Sequence, residues 1–232
     1  MNKQKILEQL KNKLIVSCQA ENDEPLGRPE ILAAIAETAV MGGAAGIRAC
    51  YPENISAIKK AVDVPVIGIY KKEYPDSQVF ISPTIKENLE IAKTNPEIIA
   101  LDATDRKRPH NEKLTDIIKE LRANFDGLLM ADIDTLDNGL KAAELGFDLI
   151  GTTLSGYTQA TRSRAIDYQP DFKLIQNLID ELKENVPVIA EGRIWNPEDA
   201  LKIMDIGVHS IVIGSAITRP HHITRRFIKA MN

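Results

Sequence analysis

Cysteine, excess charge and long apolar segments are all scarce in this chain of 232 residues. Its two cysteines, Cys18 and Cys50, are too few for a disulfide framework or a metal-ligand cluster, and their apolar neighbours predict buried, inert thiols. Lys and Arg total 29 against 33 Asp and Glu, a net charge of −4, so the overall field attracts neither nucleic acid nor an anionic membrane. An anionic ligand must therefore be held by local features.

No apolar stretch of the sequence reaches the roughly 18 residues that a membrane-spanning helix needs. The first ten residues are charged and lack the apolar centre of a signal peptide, so we expect a cytoplasmic protein. No segment rich in Pro, Gly and Ser divides the chain, which predicts one domain over residues 1–232.

Apolar runs rich in β-branched residues recur eight times along the chain. Their hydrophobicity is continuous rather than alternating, which is typical of parallel strands that are buried on both faces. The runs are Leu14–Gln19, Gly46–Cys50, Val64–Lys71, Ile98–Thr104, Leu128–Asp132, Leu149–Thr153, Val186–Glu191 and Ser210–Gly214.

The segments between these runs carry apolar residues at the three-and-four spacing of amphipathic helices. They are Ile31–Met41, Asn54–Ala61, Ile85–Lys93, Leu114–Ala123, Leu136–Leu145, Phe172–Lys183, Ala200–Ile206 and Ile223–Met231. Eight strand-then-helix units of about 30 residues each predict a (β/α)8 TIM barrel of the α/β class. An open doubly wound sheet is the alternative, but the sequence has no dinucleotide fingerprint to favour it.

Polar residues close most of the apolar runs, and in a barrel these positions converge on one pocket. They are Gln19, Arg48, Lys71, Asp102 or Thr104, Asp132, Thr153 and Glu191. Two long connections, 72–83 and 155–169, follow the third and sixth runs and would lie on the same face, either as lids or as simple loop variation.

Glycines follow the last two runs and predict a phosphate site. Gly192 precedes Arg193, and Gly214 precedes Ser215. Glycine allows backbone N–H groups to approach an anion closely at this part of a barrel, although both glycines could also serve only as turns. Arg219 either adds charge to this site or belongs to a basic surface with the arginines of the last helix.

Lys71 ends an apolar run, whereas its neighbour Lys72 begins a polar loop and is expected to face water. Burial and the nearby Arg48 would lower the pKa of Lys71 and make its amine a base or a nucleophile. The alternative is a charged lysine that pairs with Glu191 or with a ligand phosphate.

Two further groups of residues carry weaker signals. The basic triplet Arg106–Arg108 either binds phosphate or is simply solvated. Three histidines near the eighth run, His209, His221 and His222, lack the spacing of metal ligands, so we expect no metal site.

Several motifs together resemble one family, that of the N-acylglucosamine-6-phosphate 2-epimerases. They are LIVSCQ at 14–19, GGAAGIR at 42–48, VIGIYK at 66–71, IALDATDRKRP at 99–109, MADI at 130–133, TTLSGY at 152–157, EGRI at 191–194 and AITRP at 216–220. These bacterial enzymes interconvert N-acetylmannosamine 6-phosphate and N-acetylglucosamine 6-phosphate in sialic-acid catabolism. The resemblance covers almost the whole chain.

The resemblance implies roles for individual residues. Lys71 matches the acid/base lysine of the family, and Glu191 matches a glutamate that lies across the sugar. Gln19, Arg48 and Asp132 match residues that are expected to contact the substrate. The resemblance also implies that no cofactor is used.

Epimerisation at C2 requires removal of the proton next to the C1 aldehyde and return of a proton to the opposite face. The third and seventh strands of an eight-stranded barrel lie opposite each other, so Lys71 and Glu191 could flank C2. Alternatively, Glu191 only orients the sugar and a substrate hydroxyl relays the second proton.

Two rival functions remain open from the sequence. A Schiff-base phosphosugar aldolase or lyase would use Lys71 as a nucleophile, and a non-catalytic phosphosugar sensor would bind without conversion. Barrels of this size commonly pair through their outer helices, so we expect a homodimer.

Overall fold

The structure, a computed structural model, describes residues 2–20 and 24–231. Its strands are β1 (Lys13–Cys18), β2 (Gly46–Cys50), β3 (Val66–Ile69), β4 (Ile98–Asp102), β5 (Leu128–Asp132), β6 (Leu149–Gly151), β7 (Val188–Glu191) and β8 (Ser210–Ile213). Each strand pairs in parallel with the next, and β8 pairs with β1 to close the barrel. The predicted (β/α)8 barrel is confirmed.

Helices cover the outside of this barrel. They are α1 (Lys3–Leu10), α2 (Pro29–Met41), α3 (Pro52–Ala61), α4 (Ile85–Ala92), α5 (Leu114–Asn124), α6 (Leu136–Glu144), α7 (Phe172–Leu182), α8 (Pro197–Ile206), α9 (Ser215–Thr218) and α10 (Pro220–Met231). Helices α2 to α8 each connect one strand to the next. Within the described residues, none of them combines the length and the apolarity that crossing a bilayer requires.

Helix α1 is absent from the elements predicted from the sequence. Asn2 caps it by accepting a hydrogen bond from the Lys5 N–H, and Ile6 and Leu10 are buried with the residues inside the barrel. A Cβ on Gly46, the first residue of β2, would lie 2.8 Å from Leu10 Cδ2. Glycine at this position therefore allows α1 to close the amino-terminal end of the barrel.

Strand β3 is shorter than the predicted run Val64–Lys71. Lys71 forms an antiparallel bridge with Ile81 from its own loop instead of pairing with a neighbouring strand. The Lys72 N–H also donates to the Phe80 carbonyl at 2.9 Å. The loop 72–83 thus folds back on the end of β3 and fixes the backbone that carries Lys71.

Two apolar clusters form the core, one between the barrel and its helices and one inside the barrel. The inner cluster includes Ile15, Ile67, Ile98, Leu128, Leu149, Ile189 and Val212, one from each of seven strands. Side chains of a strand alternate between its two faces, so residues two or four positions further along also point inward. This rule places the polar strand ends on the barrel axis, above an apolar floor.

Candidate active site

One cavity of about 330 Å³ opens at the carboxyl ends of the strands. The predicted site residues line it, except Asp132 and the strand-end alternatives Asp102 and Thr104. These lining residues are Gln19, Arg48, Lys71, Thr153, Glu191, Gly192, Arg193, Gly214, Ser215 and Arg219. The structure therefore brings together side chains and turns from six strands that are distant in sequence.

A buried ion pair lies at the base of this cavity. Arg48 Nη1 donates to Asp132 Oδ1 at 3.1 Å, and Nη2 donates to Oδ2 at 2.6 Å. Burial alone would lower the pKa of Arg48, but the carboxylates of Asp132 and Glu191 more than offset it and raise that pKa. Asp132 lies behind Arg48 and is fully buried, so it reaches the cavity only through its partners.

Glu191 and Thr153 extend this pair into a network. Arg48 Nη1 lies 3.0 Å from Glu191 Oε2, and Thr153 Oγ1 lies 2.7 Å from Asp132 Oδ1 and 3.0 Å from Glu191 Oε2. A hydroxyl has one proton to donate, so Thr153 satisfies only one carboxylate at a time. Of the hydrogen bonds that Arg48 and Thr153 donate in this network, Asp132 accepts more than Glu191 does.

Burial is the largest influence on the pKa of Glu191. The pKa of this carboxyl is raised from 4.5 to about 7, because burial and the charge of Asp132 outweigh the opposing effects of Arg48, the Thr153 hydrogen bond and Lys71. A carboxyl that titrates near neutral pH can both hold and release a proton, which suits a general acid or base.

Lys71 reaches the same cavity from the other side of the barrel. It follows β3, and Glu191 ends β7, four strands away in the closed order. The charge of Lys71 acts to lower the pKa of the Glu191 carboxyl. The neighbouring Lys72 instead points to α4, where Nζ lies 3.1 Å from Glu87 Oε1, and its side chain is about 39% exposed.

The two predicted phosphate-site glycines differ in the reason that glycine is needed. Gly192 has φ +110°, and a Cβ there would find no atom closer than 3.9 Å, so its backbone conformation excludes other residues. Gly214 has an ordinary φ of −111°, but a Cβ would lie 3.2 Å from Ser17 Cβ. Gly192 shapes a turn, and Gly214 permits close packing against β1.

The side chain of Arg193 binds two backbone carbonyls of the loop 155–169. Its Nε donates to the Gln169 carbonyl at 2.8 Å, and its Nη1 donates to the Ser155 carbonyl. Arg193 itself has φ +57°. Its backbone lines the cavity beside Gly192, while its guanidinium binds the loop 155–169.

Arg219 and Gln19 lie together at the β1 and β8 side of the cavity. Arg219 Nη1 donates to the Gln19 carbonyl at 3.3 Å, and Nη2 donates to Glu24 Oε1 at 2.6 Å. Arg219 Nε and Gln19 Oε1 are both buried and have no hydrogen-bond partner among the residues 2–20 and 24–231 that the structure describes. Such atoms are costly to bury unpaired, so they mark positions where a bound ligand can donate and accept. Arg219 belongs to the cavity wall rather than to the basic surface of α10.

Asp102 and the basic triplet form a separate cluster. Arg106 Nη2 binds Asp102 Oδ2, Arg108 Nη2 binds the Asp102 carbonyl, and Thr104 Oγ1 donates to Asp102 Oδ1 at 2.7 Å. None of these four residues lines the cavity. Arg106 and Arg108 are not simply solvated, since both stabilise the loop after β4.

Several cavity residues, among them Ser17, Phe80, Tyr157 and Trp195, were not among the predicted site residues. Ser17 lies on β1 two positions before Gln19, so inward alternation along the strand could have identified it. Phe80 and Tyr157 come from the two long loops, and Trp195 follows β7. Their positions depend on loop conformation, for which the sequence gives no periodic signal.

The structure describes no group of three or more His, Cys, Asp and Glu placed to hold a metal ion. The fold and the cavity define a (β/α)8-barrel enzyme that carries acid–base groups at the carboxyl ends of its strands.

Comparison with known proteins identifies the family. The model of the NanE family, "Putative N-acetylmannosamine-6-phosphate epimerase", matches residues 32–232. A relative from Listeria monocytogenes serotype 4b (strain CLIP80459), "Putative N-acetylmannosamine-6-phosphate 2-epimerase", is 49% identical over 96% of this chain and 95% of its own length. A protein of the same name from Clostridioides difficile (strain 630) is 49% identical over 97% of this chain and 99% of its own.

A solved structure gives the same result. The N-acetylmannosamine-6-phosphate 2-epimerase from Clostridium perfringens is 46% identical, superimposes with a TM-score of 0.92, and covers 97% of this chain and 96% of its own. The chain belongs to the N-acetylmannosamine-6-phosphate epimerase family. The family expected from the sequence motifs is confirmed.

Proposed function

We propose that this protein inverts C2 of N-acetylmannosamine 6-phosphate to give N-acetylglucosamine 6-phosphate, by removal and return of a proton and without a cofactor. Family membership supports the substrate and the reaction. The observation that supports the mechanism is the position of Lys71 and Glu191 on opposite strands of one cavity, with Arg48 beside Glu191.

The first step is removal of the C2 proton of the open-chain sugar. Lys71 accepts this proton, and the electron pair of the C–H bond moves toward the C1 aldehyde oxygen to give an enolate. Arg48 lines the cavity, and its guanidinium stabilises the negative charge that develops on this oxygen. The electron pair of the enolate then returns to C2, which takes a proton on the opposite face. The C1 aldehyde re-forms, and the inversion is complete.

The second proton has two routes. In one, Glu191 exchanges a proton with C2, which its pKa of about 7 allows at neutral pH. In the other, Glu191 orients the sugar and a substrate hydroxyl relays the proton. Replacing Glu191 with Gln distinguishes them: the first route predicts loss of epimerisation, and the second predicts a partial defect.

The phosphate binds at the other end of the cavity in this proposal. The backbone of Gly192, Arg193, Gly214 and Ser215 and the guanidinium of Arg219 surround that end. Arg219 Nε and Gln19 Oε1 have no partner among the described residues, so Arg219 Nε supplies a charged donor and Gln19 Oε1 accepts from a sugar hydroxyl or from the amide N–H.

Asp132 and Thr153 complete the proposed site. Asp132 holds Arg48 by two hydrogen bonds and so acts on the substrate through that guanidinium. Thr153 lines the cavity and contacts both carboxylates, which places its hydroxyl between the ion pair and the sugar.

A homodimer accompanies this function in our proposal. No residue of α10 is buried, and the apolar side chains of Phe227 and Ile228 are 67% and 54% exposed. On the barrel, an apolar groove follows α8 and includes the exposed Leu201 and Ile217. Packing of α10 from a second copy into this groove would cover both surfaces. Light scattering should give twice the chain mass.

We propose that the protein is a single domain. We also place it in the cytoplasm, because its proposed substrate is a charged sugar phosphate, which a bilayer excludes.

The direct test of the activity is incubation of the purified chain with each sugar phosphate separately. Both reactions should reach the same mixture of epimers. Borohydride should trap no adduct on Lys71, since only a Schiff-base enzyme forms an imine, and a non-catalytic sensor would convert neither sugar.

A further inference from the structure

The loop 155–169 is held at both of its ends by one side chain. Arg193 Nη1 binds the carbonyl of Ser155, the first residue of this loop, and Arg193 Nε donates to the carbonyl of Gln169, the last. A charged donor makes stronger hydrogen bonds than a neutral one, and a planar guanidinium fixes the direction of both. One side chain from β7 thus joins the two ends of a 15-residue connection.

The packing around this guanidinium is close. A Cβ on Gly156 would lie 2.3 Å from Arg193 Nη1, so a larger residue there would displace the guanidinium from its present position. Arg193 Cζ also lies 5.5 Å from the ring centroid of Tyr157. Tyr157 lines the cavity, so the guanidinium supports a ring that faces the substrate position.

The backbone of Arg193 is adapted to this contact. Gly192 and Arg193 have consecutive positive φ angles of +110° and +57°. A left-handed conformation is unfavourable for a non-glycine residue and persists where the surroundings stabilise it. The turn directs the side chain over the loop that follows β6.

We propose that Arg193 is a positioning residue that keeps the loop 155–169, and with it Tyr157, closed over the substrate. It acts on the substrate through the loop rather than by contact of its guanidinium. Without it the loop opens, and the fraction of protein ready to bind substrate falls, which raises KM while kcat at saturation is preserved. The kinetic part of this inference rests on the proposed function.

Limited trypsin digestion without substrate tests the loop directly, because the peptide bonds after Arg162 and Arg164 lie within it. We expect cleavage there to be at least about tenfold faster in Arg193→Ala than in the wild type, from loss of two charge-assisted bonds. In Arg193→Lys the lysine can bind only one carbonyl at a time. Its cleavage rate should therefore fall between those of Arg193→Ala and the wild type. Cleavage after the exposed Lys119 on α5 should be unchanged, which excludes global unfolding.

Kinetics give the second readout. Arg193→Ala should raise KM about tenfold or more and change kcat less than about threefold. Arg122→Ala is the matched control, since Arg122 also binds a backbone carbonyl, that of Gly146, but on the side opposite the cavity. Unchanged cleavage at the loop in Arg193→Ala would overturn the proposal, as would a fall in kcat with unchanged KM. The digestion result stands even if the chain has another activity.

Discussion

Arg48 donates from both terminal nitrogens to the two oxygens of Asp132, at 3.1 and 2.6 Å, and both side chains are buried. Nη1 of the same guanidinium also lies 3.0 Å from Glu191 Oε2. One cation therefore serves two carboxylates, and Asp132 occupies both terminal nitrogens. Burial, with the added charge of Asp132, outweighs the effect of Arg48 and raises the pKa of Glu191 to about 7.

Removal of Asp132 should destabilise the fold. Asp132→Ala leaves Arg48 buried with Glu191 as its remaining partner, and breaking a buried pair costs about 3 kcal/mol or more. Urea unfolding monitored by circular dichroism measures the loss. Glu30→Ala is the control, because Glu30 and Arg28 form an exposed pair, and it should cost less than about 0.5 kcal/mol. Equal stability of the two variants would show that the buried pair is not structural.

The stability of Glu191→Gln relative to the wild type should increase as the pH rises. Folding raises the pKa of Glu191 from 4.5 to about 7, so the stability gained from its neutral form is complete below pH 4.5 and is lost as the pH passes 7. Glutamine stays neutral at every pH and avoids that loss. Urea unfolding of the variant and the wild type at pH 5 and pH 8 should show the difference shifting in favour of the variant at pH 8. A difference independent of pH would place the pKa of Glu191 near its ordinary value.

Loss of Lys71 should abolish the chemistry without loss of the fold. In Lys71→Ala the base is gone, which costs on the order of 10²- to 10⁴-fold in rate, while a small residue fits the end of β3. Lys72→Ala is the matched control, since this neighbouring lysine pairs with Glu87 outside the cavity. Its rate should stay within about threefold of wild type. Retention of more than a tenth of the activity in Lys71→Ala would assign the base to another residue.

The phosphate should contribute to rate as well as affinity. Bonds from several donors to a charged group are each worth roughly 1.5–3 kcal/mol, so kcat/KM for unphosphorylated N-acetylmannosamine should be at least ~10³-fold lower. Similar kcat/KM values for the phosphorylated and the unphosphorylated sugar would show that the phosphate site is wrongly assigned.

The glycines of that site allow a finer test. Gly214→Val places its branched side chain against Ser17 and should reproduce part of the defect. Gly192→Ala has room for its methyl group and should act only through the strained φ of +110°. We therefore expect the larger loss of kcat/KM in Gly214→Val. The reverse order would show that the turn at Gly192 matters more than the close packing at Gly214.

The barrel could be predicted from the sequence because each strand and helix carries its own local signal. Continuous apolar runs, helical spacing and caps such as Asn196 before Pro197 depend on neighbours in sequence. Helix α1 also has such signals, in Ile6 and Leu10 and the cap Asn2, and could have been predicted from them.

The cavity could be predicted only in part. Strand ends identified Arg48, Lys71 and Glu191 because the barrel topology itself brings them together. The sequence could not show that Asp132 lies behind Arg48, since both positions point inward and only packing decides which reaches the cavity. It also could not show that Arg193 turns toward the loop 155–169, because that direction depends on a left-handed backbone angle.

The central claim is that this protein exchanges the proton at C2, and proton NMR of N-acetylmannosamine 6-phosphate with the protein in D2O tests it most directly. The account predicts that N-acetylglucosamine 6-phosphate appears with deuterium at C2, and that no label enters any other carbon. Formation of the product with its C2 proton fully retained, from solvent that is almost entirely D2O, or the absence of conversion, would contradict the account.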